Sequence, residues 1–67
     1  MDGHTVFDVE VANHGSIFTF VPLTDAAREW IESNVPDPLW FGGALAVEHR
    51  YAMDLAEGMT NDGLKLV

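Results

Sequence analysis

From Val6 the chain alternates, with Phe7, Val9 and Val11 on one face of an extended segment and Asp8 and Glu10 on the other. That period of two is the signature of a half-buried strand. Asn13, His14 and Gly15 then supply a turn, since Asn and Gly both tolerate positive φ. Ser16 to Val21 is a second extended run, so residues 4–22 are expected to form a β-hairpin closed by Pro22, which lacks a ladder N–H. Thr24 is placed to cap a helix and Asp25 to sit in its first turn. Ala27, Trp30, Ile31 and Asn34 fall at i, i+3, i+4 and i+7, an apolar stripe built around the tryptophan. Pro36-Asp37-Pro38 ends this helix.

Leu39-Trp40-Phe41 is apolar and runs into Gly42-Gly43, read as a bulge or a close backbone approach. Ala44 to Val47 reads as a short buried strand. Helical spacing returns from His49 to Glu57, with Tyr51, Leu55 and Met59 at i, i+4 and i+8, and Gly58 suits the left-handed position past its end. Asn61-Asp62-Gly63 is a turn, and Leu64 to Val67 alternates as a terminal strand. The expected architecture is a single α+β domain over residues 1–67, in the order ββαβαβ. Its sheet is antiparallel or mixed, with the helices packed on one face.

Size and composition narrow the chemistry. A 67-residue chain buries only about 60% of its unfolded surface, which leaves little room for a deep pocket beside the core. Without cysteine there is no disulfide, thiolate metal site or thiol nucleophile. The three histidines, His4, His14 and His49, lack helical i, i+4 pairing, and a metal site needs three or four convergent ligands. Only His49 has a close acidic neighbour, Glu48. Ser16, His14 and Asp8 make a triad on paper, but Ser16 and His14 share one tight turn where neither could be kept dry. Gly42-Gly43 lacks the lysine and spacing of a phosphate loop. No catalytic residue, metal or cofactor is expected, and the protein is read as a non-enzyme. The apolar runs are too short to span a bilayer and no signal segment is visible, so the expected location is the cytoplasm.

Charge is the unusual property: eleven acidic residues face three basic ones, a net of −8. That opposes direct contact with nucleic acid or anionic lipid. Arg28 is spaced to pair with Asp25 and Glu32, and Arg50 with Asp54. Three cations leave at least eight of the eleven acids without a partner. Asp8 and Glu10 share the outward face of the first strand, about 6.6 Å apart. Asp25, Glu29 and Glu32 lie opposite Trp30 on the first helix, rising about 6 Å and then about 4.5 Å. Asp54 and Glu57 repeat the spacing on the second. Such rows are either solvated faces that keep a small protein soluble or an approximation to a DNA strand, which carries one charge roughly every 3.4 Å.

Asn13-His14-Gly15-Ser16-Ile17, Pro22-Leu23-Thr24 leading to Ala27 and Trp30, Gly42-Gly43, Val47-Glu48-His49-Arg50-Tyr51 and Asp62-Gly63 together resemble small proteins of phages and mobile elements. Length and acidity are further similar to anti-CRISPR proteins that stop type I effector complexes from binding DNA. The resemblance carries no catalytic residues. It implies a host-cell inhibitor, binding a basic DNA-binding surface of a CRISPR effector subunit through Asp8, Glu10, Asp25, Glu29, Glu32, Asp54 and Glu57. The competing expectation is a small adaptor or antitoxin-like module that binds through a sheet edge or a Trp40-Phe41 patch. Net −8 resists self-association, so a monomer is expected.

Overall fold

A computed structural model describes residues 6–67; His4 and Thr5, at the start of the expected hairpin, lie outside them. The elements are β1 (Val9–Asn13), β2 (Ile17–Pro22), α1 (Asp25–Asn34), β3 (Leu39–Phe41), β4 (Ala44–Glu48) and α2 (His49–Asn61). They form one antiparallel four-stranded sheet in the order β1-β2-β4-β3. The observed order is therefore ββαββα rather than ββαβαβ. The extra strand is β3, and Gly42-Gly43 is a two-residue hairpin turn joining Phe41 to its partner Ala44. Gly42 takes φ 60° at the first central position, the glycine requirement of a type II′ turn, whose twist matches the flanking strands.

The terminal strand is reduced to a single parallel bridge between Leu66 and Val9. Backbone hydrogen bonds from Val67 to Val9 (2.9 Å) and from Val11 to Val67 (2.9 Å) lay this tail along β1, covering the edge that β1 would otherwise expose.

Cross-strand partners share a face. One face carries Val9 and Val11, Phe18 and Phe20, Leu45 and Val47, and Trp40. Val9, Phe20 and Leu45 are fully buried there with Ala27 and Ile31 of α1, Ala52 and Met59 of α2, and Leu64. Both helices thus cover the same side of the sheet, as expected.

The tryptophan stripe of α1 is half right. Ala27 and Ile31 are buried, while Trp30 lies at the margin, its ring 3.5 Å from where a side chain on Gly58 would begin. The α2 stripe is rotated: Ala52, Leu55, Ala56 and Met59 face the core, an i, i+3, i+4, i+7 set, and Tyr51 is exposed. The helix also runs past Gly58 to Asn61, and Gly58 is no stop: the Trp30 ring packs over it at van der Waals distance. The left-handed residue is Gly63, φ 94°. Leu64 N–H donates to Met59 O and Gly63 N–H to Thr60 O, each at 3.0 Å, which closes a Schellman motif with Met59 and Leu64 both buried.

Candidate functional site

The seven acids named from the sequence separate into three environments. Asp8 is built into the fold. One carboxylate oxygen accepts from Thr24 Oγ1 at 2.9 Å and the other from the Lys65 backbone N–H at 2.9 Å. Its own N–H donates to Lys65 O at 2.7 Å, and its carbonyl accepts from Leu23 N–H at 2.7 Å. Thr24 in turn caps α1, accepting from Ala27 N–H at 3.1 Å. One side chain therefore joins the strand entering the sheet, the first turn of α1 and the C-terminal tail. The Lys65 amide, then the Thr24 hydroxyl, hold its carboxyl below the ordinary value of 3.8, because both donate to the ionised form.

Glu10 lies on the opposite face of the sheet, paired across with Val21. The remaining five share the helical layer. Asp25, Glu29 and Glu32 are exposed on α1, Asp54 and Glu57 on α2. Trp30 against Gly58 sets the helices side by side, next in the chain to Glu29 and Glu57. Among the described residues, none of these five carboxylates has a hydrogen-bond or ion-pair partner.

The expected pairings of the arginines give way to other contacts. Arg28 turns away from Asp25 and Glu32 and places its guanidinium 5.5 Å from the centre of the Trp40 ring. Arg50 pairs with Glu48, Nε to Oε1 3.0 Å, and lies 4.9 Å from the Tyr51 ring, leaving Asp54 free. Both side chains of the Arg50–Glu48 pair are more than half exposed, so it adds little stability. A cation over an aromatic face keeps most of its hydration while gaining the ring quadrupole, which is why the ring outcompetes a solvated carboxylate.

The Trp40-Phe41 patch is split by the strand they share. Trp40 faces the core beneath Arg28, while Phe41 points outward and is 64% exposed. The paper triad is pulled apart: Asp8 lies beyond the Val9 end of β1, while His14 and Ser16 lie in the turn past Asn13. His14 Nε2 instead meets Thr19 Oγ1 at 3.1 Å, and exposed His49 stacks near Phe18. Among the described residues no group of three His, Asp or Glu side chains is arranged to hold a metal. No helix among them is long and apolar enough to cross a membrane.

Two surfaces went unforeseen. A groove of about 800 Å³ runs between residues 34–39 and the first turns of α2, past Tyr51, Asp54 and Leu55. The outer face of the sheet carries Ala12, Ile17, Thr19, Val21, Leu39, Phe41, Ala44 and Ala46, none of which joins the core. The alternation of Phe18, Phe20 with Ile17, Thr19 and Val21 contained the signal: β2 is apolar on both faces.

The residues behind the sequence resemblance have structural roles here. The Asn13 carboxamide accepts from Gly15 N–H at 2.8 Å, and Ser16 O accepts from His49 N–H at 2.8 Å, fastening the hairpin turn to the start of α2. No protein-family model, curated protein or solved structure matches the chain.

Proposed function

We propose that this protein is a non-enzymatic inhibitor that sets its acidic helical layer on the basic nucleic-acid-binding surface of a partner protein and competes with DNA for it. The carrying observation is the five exposed carboxylates on one layer, without a partner among the described residues, with the neighbouring Arg28 guanidinium drawn away onto Trp40. Like charges at helical i, i+3 and i+4 spacings each destabilise a helix by a few tenths of a kcal/mol. A row that weakens its own helix is useful where a cationic surface relieves the repulsion. Attraction of this kind is long-ranged, accelerates encounter and weakens with salt.

The particular target is the DNA-loading surface of a type I CRISPR effector, the target implied by the resemblance to phage-borne inhibitors. The test is a gel shift in which the protein competes with labelled duplex for effector complexes of several types at two salt concentrations. Loss of the shift with one complex, restored by salt, supports the reading. Undiminished DNA binding by every complex rejects the target. A second reading, an interaction module that works through apolar contact, is favoured by the outer sheet face. Salt separates the two, since apolar contacts do not weaken as ionic strength rises.

A further inference from the structure

The sheet stops short where β3 joins it, and the cause lies in the sequence. Pro36 and Pro38 flank Asp37, and neither proline has an N–H to give a ladder. β3 therefore begins only at Leu39 and pairs no further along β4 than Ala46. Val47 and Glu48 run on beyond it, paired with β2 alone. Residues 35–38 instead bound the groove of about 800 Å³, opposite the first turns of α2. Asp37 holds φ 49° there, unfavourable for a residue with a β-carbon and more so before proline. A proline on each side, fixed in φ, makes that wall stiff.

The floor of the groove is apolar. Val35, Val47 and Leu55 pack against the core yet stay half-buried, and the exposed Leu39 and Tyr51 line its rim. Its charged lining is Asp37, Glu48, Arg50 and Asp54. Glu48 and Arg50 neutralise each other at 3.0 Å. Among the described residues neither Asp37 nor Asp54 has a hydrogen-bond or ion-pair partner, so both carboxylates are left to whatever enters.

We infer that the groove takes an extended segment of a basic partner protein. One apolar side chain of that segment sits on Val35, Val47 and Leu55, and a lysine or arginine two positions away meets Asp37 and Asp54. Side chains at that spacing point the same way from an extended chain, about 6.6 Å apart. A long basic side chain lays its methylenes on apolar surface and keeps its cation at the rim. Charge complementarity selects this occupant. An acidic segment is repelled by both free carboxylates, as is a second copy of the chain at −8. A wholly apolar ligand would bury the carboxylates without compensation, and a wholly basic one would leave the floor in water.

The inference rests on the proposed function for the sign of the partner's charge, and it adds what distinguishes one basic surface from another. Asp54 belongs to the groove and to the helical acids alike, so the two surfaces are continuous. The exposed acids hasten encounter with any cationic surface. A seated apolar anchor excludes water and lengthens residence, and only a partner that presents one gains it.

Amide spectra of the full chain, titrated to about 1 mM with short capped peptides, test the inference in the range of weak binding. The first peptide carries a leucine two positions from a lysine in a glycine-serine background. The second has serine for the leucine, and the third glutamine for the lysine. The first should give saturable shifts at Val35, Asp37, Tyr51, Asp54 and Leu55. The second should bind about tenfold more weakly, for want of the buried side chain, and the third about threefold, the worth of an exposed pair. Salt should abolish the difference between the first and third but not that between the first and second. Asp37→Asn, which tolerates the left-handed conformation, should weaken the first peptide about threefold, with an unchanged circular dichroism spectrum. Met53→Gln, exposed on the other side of α2 near Val11 and Phe18, should not. Equal binding of the first two peptides overturns the inference, as do shifts confined to Glu29 and Glu32. A protein that clears DNA from a complex yet binds those two peptides alike loses the groove and keeps the acidic row. One that selects the first peptide and clears no DNA keeps the groove and loses the target.

Discussion

Asp8 and Glu29 are the same kind of charge in the sequence and opposite kinds of residue in the fold. Asp8 meets an amide and a hydroxyl donor at 2.9 Å each and ties three segments together. Glu29 sits with Asp25 and Glu32 on open helix surface with no partner among the described residues. The difference is position relative to orphan donors. Strand entry, helix start and chain end converge at Asp8, and each brings polar groups that need an acceptor. Mid-helix, the backbone has already satisfied itself, so a carboxylate there has only solvent or a partner to address. Acids that hold the fold and acids available for binding are therefore separable by mutation.

The strongest way to sharpen that separation is Glu29→Lys with Glu32→Lys. Inhibition of DNA binding by the partner complex should fall about a hundredfold, since reversal replaces two attractions by two repulsions at a charged interface. The melting temperature should hold or rise slightly as like-charge repulsion along α1 is relieved. Retained inhibition would mean that the row is not the contact surface.

Asp8→Ala should do the reverse, lowering the melting temperature more than any single change in the row while leaving competition with DNA intact wherever the protein is folded. Its pH signature is specific. The folded-state pKa of Asp8 lies below its ordinary 3.8, so its contribution is fully present above that value and is lost as pH falls through the lower, folded one. Asp8→Asn should flatten the acid limb of the stability profile below about pH 4. An unchanged limb would show that other groups control acid unfolding.

A smaller effect tests whether the corner acts as a unit. Thr24→Ala removes the cap on Ala27 N–H and one donor to Asp8, and should cost about 1 to 2 kcal/mol in chemical denaturation. The double change with Asp8→Ala should cost less than the two single losses added together, because the groups share a hydrogen bond. Strict additivity would dissolve the idea of a connected corner.

Much of this was legible where a local rule had no tertiary competitor. Thr24 as cap, the first hairpin and both helices on one sheet face follow from turn chemistry and apolar spacing. Most of the misses come from contacts between segments far apart in the chain; β3 is the exception, since its partner β4 follows directly after Gly42-Gly43. Leu39-Trp40-Phe41 has no apolar–polar alternation, so nothing in its pattern announces that Trp40 faces in and its neighbours out; only pairing with β4 decides it. Gly58 looks like a helix stop, yet Trp30 of α1 packs over it and the left-handed residue past the helix is Gly63. Strand alternation groups Asp8 with Glu10, and the two donors that set it apart come from residues 24 and 65. In the candidate site, spacing identified the helical acids but also paired Arg28 with them, and Trp40 lies outside any helical spacing rule.

Arg28 offers the finest adjustment of the contrast between structural and available charge. It belongs to α1 by sequence and to Trp40 by contact, at 5.5 Å, so it serves the fold while diluting the row. Arg28→Ala should cost about 0.5 to 1 kcal/mol, the worth of an exposed cation–π contact. It should also tighten binding to a basic partner by roughly two- to threefold, because one cation leaves the neighbourhood of Asp25, Glu29 and Glu32 and exposed pairs are each worth a fraction of a kcal/mol. The gain should shrink as salt is raised. Arg28→Lys distinguishes the two contributions: it keeps the charge, weakens the ring contact, and should lose stability without gaining affinity. If Arg28→Ala binds no tighter than the parent at low salt, the Trp40 ring already holds that charge out of the row's field, and Arg28 belongs with Asp8 among the residues of the fold.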